Sequence, residues 1–406
     1  MAADRAELVT LLIDPPNSPG HGRLWSHLAS DTSYDELHAF AQRIGIPRRG
    51  FDRDHYDVPQ ERYEQVRAAG AVAVSSRELI ERLARAGLRR RKSQTLAPRR
   101  PGRPLLRPPR LHPGDRVAVV APAGPVPPRR LDAGLAVLRS WGLDVVVGRH
   151  VLGTDERWAY LAAGDAARAE DLVGAWCDPD VTAVLCARGG YGTQRILDLL
   201  DWPAMAAAGP RVLVGFSDVT ALHQAVAARL GLATVHGPVV TSLGAGDEAS
   251  RAHLRALLLD PSPGTSITPA PARTLVPGSA EGVLAGGNLA LLASGAGTGD
   301  RVTAAGSIAV LEDVTEQPYR LDRMLTQLVR SGWFEGVRGV VWGEVGEVPG
   351  AVLDDLARDR LGHLGVPMVA GAAFGHGARN LAFPLGVPAR LDADAGTLVV
   401  RERPLL

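Results

Sequence analysis

Four short apolar runs constrain this chain more than any other feature: RVAVVAPA (116–123), LDVVVG (143–148), VTAVLCA (181–187) and RVLVGF (211–216). None shows the strict polar–apolar alternation of a strand with one wet face, so each reads as a strand buried on both sides. Helical patterns at 128–140, 165–176, 192–201 and 218–230 separate and follow them. Such alternation predicts a largely parallel sheet covered by helices.

Two breaks in composition bound this region. RRRKSQTLAPRRPGRPLLRPPR (89–110) holds nine Arg or Lys and five Pro in 22 residues, with no apolar period. It reads as an extended basic linker, and because the block is short and isolated a solvated tether is favoured over an RNA, membrane or partner contact. DPSPGTSITPAPARTLVPGS (260–279) is the second break. The expected organisation is an accessory domain over 1–88, the linker 89–110, a domain over 111–260, an interdomain linker over 261–279 and a further domain over 280–406. In the accessory domain LVTLLID predicts a strand, while DELHAFAQRIG and SSRELIERLARAGL predict amphipathic helices, one ended by Gly45 and one opened by Ser75 or Ser76. The last domain carries GSIAVLED, a helix near 319–331, VRGVVWGEV and a closing hairpin, PLGVPARLDADAGTLVV.

Composition removes several function classes. A formal net charge of +1 gives no general preference for polyanions, so nucleic acid is not an expected partner. Two cysteines, Cys177 and Cys186, are too few for a disulfide framework. The N-terminus lacks the basic start and long apolar core of a signal peptide, and no later run is long enough to span a bilayer. A soluble cytoplasmic protein without a membrane partner is expected. SGAGTGD (294–300) follows a helix-like LALLA rather than a strand, which argues against a dinucleotide fingerprint, and no cofactor is expected. In the accessory domain Asp14, His21, His27, Asp31, Asp52, His55 and Asp57 crowd into 44 residues. That composition suits a metal or phosphoryl site, but the only close spacing is the weak D-x-x-H of Asp52 and His55 with Asp57 beyond it, so a structural or protein-binding module is preferred.

VLVGFSDVTAL (212–222) runs from a predicted strand directly into a helical pattern. A serine there, Ser217, lies near unpaired N–H groups and the positive end of the helix dipole, which would favour an oxyanion, with the Asp218 N–H as the natural donor. The same local features describe an ordinary N-cap, and locally that reading is favoured. A nucleophile would need a base and a carboxylate to orient it. Candidate bases are His236 in TVHGPVV and His376 in AAFGHGARN, the latter flanked by glycines. Candidate acids are Glu312 and its neighbour Asp313, at the end of SIAVLEDV. CARGGYGTQRILDLL follows a predicted strand and opens a helix, so its N–H groups could bind an anion; it lacks the GK[ST] ending of a phosphate loop.

Taken together, GDRVAVVAPAG (114–124), ARGGYGTQRILDLLDW (187–202), VGFSDVTAL (214–222), HGPV (236–239), GVLAGGNLALL (282–292), LEDVTEQPYRLDRMLTQL (311–328) and GHGARNLAFPLG (375–386) resemble, in order, the LD-carboxypeptidase family of serine peptidases. The resemblance covers 111–406 and implies an α/β fold: a flavodoxin-like parallel-sheet domain bearing the nucleophile plus a smaller β-rich α/β C-terminal domain. It implies Ser217 as nucleophile, His376 as base, Glu312 as triad acid, and the N–H groups of Asp218 and Gly190 as oxyanion donors. It further implies hydrolysis of the L,D-peptide bond of murein tetrapeptides through an acyl-enzyme, releasing D-alanine in cell-wall recycling, and a cytoplasmic homodimer. Arg188 is expected to receive the substrate carboxylate, with Tyr191, Asn288 and Tyr319 as further substrate contacts. A second branch of the family resembles the microcin C immunity proteins, amidases of aminoacyl-nucleotide antibiotics. The modest Ser217–Glu312 spacing leaves no obvious room for an adenine-stacking insert and leans toward murein, while Trp158 keeps the alternative open. A third reading, a non-catalytic scaffold built on the accessory domain and linker, ranks last because all three triad types are present. The first 88 residues resemble a small bacterial domain of unknown function through LLIDPPNSPGHGRLWSHLASDTSYDELHAFA and FDRDHYDVP.

Overall fold

The computed structural model describes residues 11–20, 22–52, 54–86, 88, 102–268, 272–314 and 316–406. His21 and most of the basic block, 89–101, lie outside the described residues. The chain divides into two compact units, Met1–Ser93 and Gln94–Leu406.

The first unit is a small α/β fold. Its sheet has Arg23–Ser30 at the centre, antiparallel to Leu11–Ile13 on one side and to His55–Pro59 on the other. Tyr34–Arg43 and Ser76–Arg85 are helices capped by Ser33 and Ser75, whose hydroxyls accept from the N–H groups of Glu36 and Glu78. Acidic residues in the first turns and arginines in the last complement the helix dipoles. Leu37, Phe40 and Ala41 seal one core with Ile13, Leu28 and Val58, and Leu79 and Leu83 seal another with Leu12 and Ala29.

The second unit contains two sheets. The first runs Phe383–Leu385, Thr234–His236, Val212–Gly215, Val181–Cys186, Arg116–Val120, Asp144–Val147. Its first five strands in chain order are parallel and in the spatial order 2-1-3-4-5 of the flavodoxin-like fold. The expected helices flank it as Pro128–Ser140, Asp165–Cys177 and Thr220–Arg229, whereas the 192–201 pattern breaks into Thr193–Ile196 and the 3₁₀ turn Leu197–Leu199. Both faces of the sheet are dry, one packed with Leu131, Leu135 and Leu138, the other with Leu172, Trp176 and Leu222.

The second sheet has seven strands, with Met368–Gly375, Gly339–Val345, Ser307–Asp313 and Ser279–Asn288 mutually parallel at its centre. Pro388–Asp392 and Thr397–Val400 form the expected antiparallel hairpin at one edge. The other edge is Arg273–Val276, antiparallel to Met368–Gly375, inside the stretch expected to be interdomain linker. Its prolines fall on either side of the strand and none within it, and the strand sits at the sheet edge. The end of the basic block is likewise docked: Leu105 donates to the Gly386 carbonyl, Leu106 bridges to Leu232, and Arg110 donates to the Leu406 carbonyl. Apolar Leu105 packs with the second sheet's core, a contact that the arginines and prolines around it obscure in the sequence. The two sheets are tied by Phe383–Leu385, which leaves the C-terminal half of the chain to pair antiparallel with Thr234–His236.

Candidate active site

Open parallel sheets present functional groups at the carboxyl ends of their strands, where side chains and loops emerge from the packed layers. Ser217 follows Val212–Gly215, Glu312 ends Ser307–Asp313, and His376 follows Met368–Gly375.

Ser217 has φ 65°, the only non-glycine residue with positive φ among those described. A left-handed serine is strained, and it turns the side chain out of a strand-to-helix corner. It is not a cap: Phe216 caps the short turn Ser217–Val219, Val219 caps the following helix, and neither makes a side-chain cap bond. Instead Ser217 Oγ lies 3.0 Å from His376 Nε2, and His376 Nδ1 lies 2.6 Å from Glu312 Oε2. With Glu312 ionised, Nδ1–H donates to the carboxylate and Nε2 accepts from the serine hydroxyl.

The glycines around His376 are required by close packing. A Cβ on Gly375, which has φ 105°, would sit 2.8 Å from Glu312 Cβ, and one on Gly377 would sit 2.5 Å from Glu344 Cγ. Phe216 covers the imidazole, ring centroids 4.8 Å apart.

Glu312 is fully buried. Burial alone would push its carboxyl up; the imidazoles of His236 and His376 outweigh that and hold it below the ordinary carboxylate range. The His376 imidazole is pulled down by burial but raised further by Glu312, and ends above its ordinary value. Of the two histidines weighed as base, His236 stands behind the acid. Its Nε2 is 3.8 Å from Glu312 Oε1, it is completely buried, and it stacks on Phe383 at 4.5 Å with 16° between the rings. Neighbouring strand residues point to opposite faces, so Glu312 and Asp313 cannot both meet His376. The Asp313 carboxylate accepts from Asn288 Nδ2 (3.1 Å) and the N–H groups of Ala290 (3.0 Å) and Val314 (2.8 Å). Burial and the Glu312 charge push it up to about 6.

The glycine loop lies against the serine: a Cβ on Gly189 would be 2.9 Å from Ser217 Cβ. Among the described residues no protein group accepts from the N–H of Gly190 or Asp218. The Asp218 side chain is turned inward, its buried carboxylate accepting from Thr193 N–H at 2.8 Å. Arg168, absent from any sequence motif, braces this loop: buried, it donates to the carbonyls of Gly192 and Ala163 at 3.0 Å and to that of Pro122, and pairs with Asp165. On the sequence it is one arginine among the charges of a surface helix, with no signal that it turns inward.

Residues 117–237 match the LD-carboxypeptidase N-terminal domain and residues 281–391 the LD-carboxypeptidase C-terminal domain. The chain belongs to the LD-carboxypeptidase family. Family membership makes it a serine-type carboxypeptidase, a hydrolase. It is 57% identical over 307 residues to a carboxypeptidase homologue from Streptomyces coelicolor, covering 75% of this chain and 98% of that one. It is 38% identical over 294 residues to the murein tetrapeptide carboxypeptidase of Pseudomonas aeruginosa, covering 69% of this chain and 94% of that one. The crystal structure of an MccF-like protein from Bacillus anthracis superposes with a TM-score of 0.67 at 25% identity, covering 73% of this chain and 99% of that one. Residues 11–86 match a separate domain of unknown function.

The remaining expected substrate contacts differ in placement. Asn288 is buried and caps the helix Leu289–Ser294: its side-chain oxygen accepts from Leu291 N–H while its amide donates to Asp313. Arg188 is exposed beside the glycine loop and donates to the Pro125 carbonyl at 2.6 Å. Tyr191 is exposed and edge-on to Tyr160, which is followed by Trp158, each step 5.6 Å between centroids. Tyr319 is exposed at the start of Pro318–Arg330 with Arg323 over its ring. Among the described residues, no helix is long and apolar enough to cross a membrane. Of the N-terminal metal candidates, His55 and Asp57 come together with His27, while the Asp52 side chain lies outside the described residues.

Proposed function

We propose that this protein hydrolyses the L,D-peptide bond of murein tetrapeptides and releases the terminal D-alanine. The hydrogen-bonded chain Ser217–His376–Glu312 carries this reading. His376 Nε2 takes the Ser217 proton as Oγ attacks the carbonyl of the L-residue; Glu312 holds the imidazole tautomer and stabilises the imidazolium. The N–H groups of Asp218 and Gly190 receive the oxyanion. His376 then protonates the leaving amine, and water resolves the acyl-enzyme by the same base. Arg188 is the nearest cation to the glycine loop in sequence and takes the substrate carboxylate, with Tyr191 and Tyr319 as outer contacts. The name of the Pseudomonas aeruginosa relative supports the substrate class; a cytoplasmic place in cell-wall recycling and a homodimer belong to the proposal on the family resemblance alone.

Incubating the purified chain with an L,D-tetrapeptide and assaying free D-alanine tests the reading, with Ser217→Ala as the inactive control. The second reading, an amidase of aminoacyl-nucleotide antibiotics, draws on the likeness to the MccF-like fold and on exposed Trp158 and Tyr160. Turnover of an aminoacyl sulfamoyl adenosine in preference to the tetrapeptide would favour it and overturn the murein assignment.

A further inference from the structure

The first unit gathers a second set of imidazoles that the peptidase chemistry does not use. His27 on Arg23–Ser30 is the direct cross-strand partner of Asp57 on His55–Pro59. His55 precedes Asp57 by two residues, so the strand period places it on the same face. One donor atom from each of His27, His55 and Asp57 lies within 4.8 Å of the others. The imidazoles meet edge to face, 4.8 Å between centroids and 86° between planes.

Each imidazole is fixed from behind by a buried carboxylate. His27 Nδ1 lies 2.9 Å from Asp14 Oδ2, and Asp14 is itself anchored by Ser76 Oγ at 2.7 Å and His27 N–H at 2.6 Å. His55 Nδ1 lies 2.6 Å from Asp54 Oδ1. Asp14 and Asp54 are each only 1% exposed. A carboxylate on Nδ1 sets the tautomer and orientation of a metal-binding histidine and leaves Nε2 as the ligand atom. Two donors bound to one Zn²⁺ at ordinary lengths stand about 3.3 Å apart, and His55 Nε2 and Asp57 Oδ1 are already 3.3 Å apart.

We propose that His27, His55 and Asp57 bind one divalent first-row transition-metal ion, with Asp14 and Asp54 as the carboxylates that orient the two imidazoles. Two nitrogens and one carboxylate oxygen suit zinc, iron or manganese rather than calcium or magnesium, which prefer all-oxygen shells. Three protein ligands leave at least one coordination position for water or a small ligand, and Asp57, with its side chain 46% exposed, lies on the solvent side. The site therefore has the form of an open, reactive centre rather than a closed structural one.

The test uses the full chain, stripped with chelator and titrated with ZnCl₂ by calorimetry and with Co²⁺ by visible absorption. One equivalent of Zn²⁺ per chain and a Co²⁺ d–d band are expected. His55→Ala should abolish both, Asp57→Asn should weaken affinity, and Asp14→Asn should weaken it about 10- to 100-fold. Circular dichroism identifies any variant that fails to fold, and the half-exposed Asp57 carries the test if a histidine variant does. Glu312→Gln, which alters the other histidine cluster, should leave the stoichiometry unchanged. Absence of stoichiometric binding by the folded wild-type chain, or binding that survives Asp57→Asn and His55→Ala but is lost in Glu312→Gln, overturns the proposal.

Discussion

Two regions of this chain are built from the same unit, an imidazole whose Nδ1 is held by a buried carboxylate. In the second unit that carboxylate is Glu312, and the far nitrogen of His376 meets a serine hydroxyl at 3.0 Å. In the first unit the carboxylates are Asp14 and Asp54, and beyond the imidazoles stand a second imidazole and Asp57. The backing is alike; what lies in front decides the chemistry. A hydroxyl that can lose its proton makes the imidazole a base, whereas converging lone pairs make it a ligand. The backbones differ in kind too. The serine sits at a left-handed corner that only a packed strand-to-helix turn maintains, while His27, His55 and Asp57 occupy ordinary strand positions.

The largest effect that could break this contrast comes from the hydroxyl. Ser217→Ala should lower kcat/KM for D-alanine release by at least about 10⁴-fold with an unchanged circular dichroism spectrum; retention of a tenth of the rate would remove the serine from the chemistry. Glu312→Gln should reduce kcat by about 10⁴-fold through the wrong imidazole tautomer, measured by the same assay. It should leave metal binding by the first unit untouched.

The pH profile sharpens the contrast further. In the proposed mechanism neutral His376 is the base, and its imidazole is raised above the ordinary value by Glu312, so kcat/KM should rise with pH to a midpoint above about 6.5. The imidazole's contribution to stability runs the other way. The raised imidazole contributes stability that is present below the unfolded histidine value and lost as pH rises through the folded one. The lowered Glu312 carboxyl contributes stability that is present above the unfolded glutamate value and lost as pH falls through the folded one. Thermal melts across this range, with Glu312→Gln for comparison, check the signs.

Smaller effects separate the supports from the reacting groups. His236→Phe keeps a ring on Phe383 but removes the imidazole facing Glu312, and should lower kcat roughly tenfold, as for a shift of one pKa unit at the acid. An unchanged kcat would mean that His236 serves packing alone. Smallest of all, Tyr191→Ala should raise KM about threefold with little change in kcat, the pattern of a contact made equally before and during reaction.

Much of the molecule was legible without coordinates. The apolar runs after 111 marked the parallel strands, and the helices at 128–140 and 165–176 appear within a residue of their expected ends. The edge strand Arg273–Val276 and the docked Leu105 were not legible, because proline breaks up the first stretch and arginine with proline fills the second, and the apolar residues among them gain partners only from distant strands. Ser217 was ambiguous for a related reason. A cap and a nucleophile share the same local sequence, and only the sign of φ and the absence of a cap bond separate them.

The sequence alone determined periodicity, turn glycines and the residue types available for chemistry, since these follow from neighbours along the chain. Tertiary structure decided which candidates converge: that His376 faces the serine while His236 lies behind Glu312, that Asn288 is a helix cap, and that His27 joins His55 and Asp57. The serine–histidine contact joins residues 159 apart in sequence, and His27 meets Asp57 only because their two strands pair. Register across a sheet is set by the packing of both faces at once, and no local stretch of sequence carries that information.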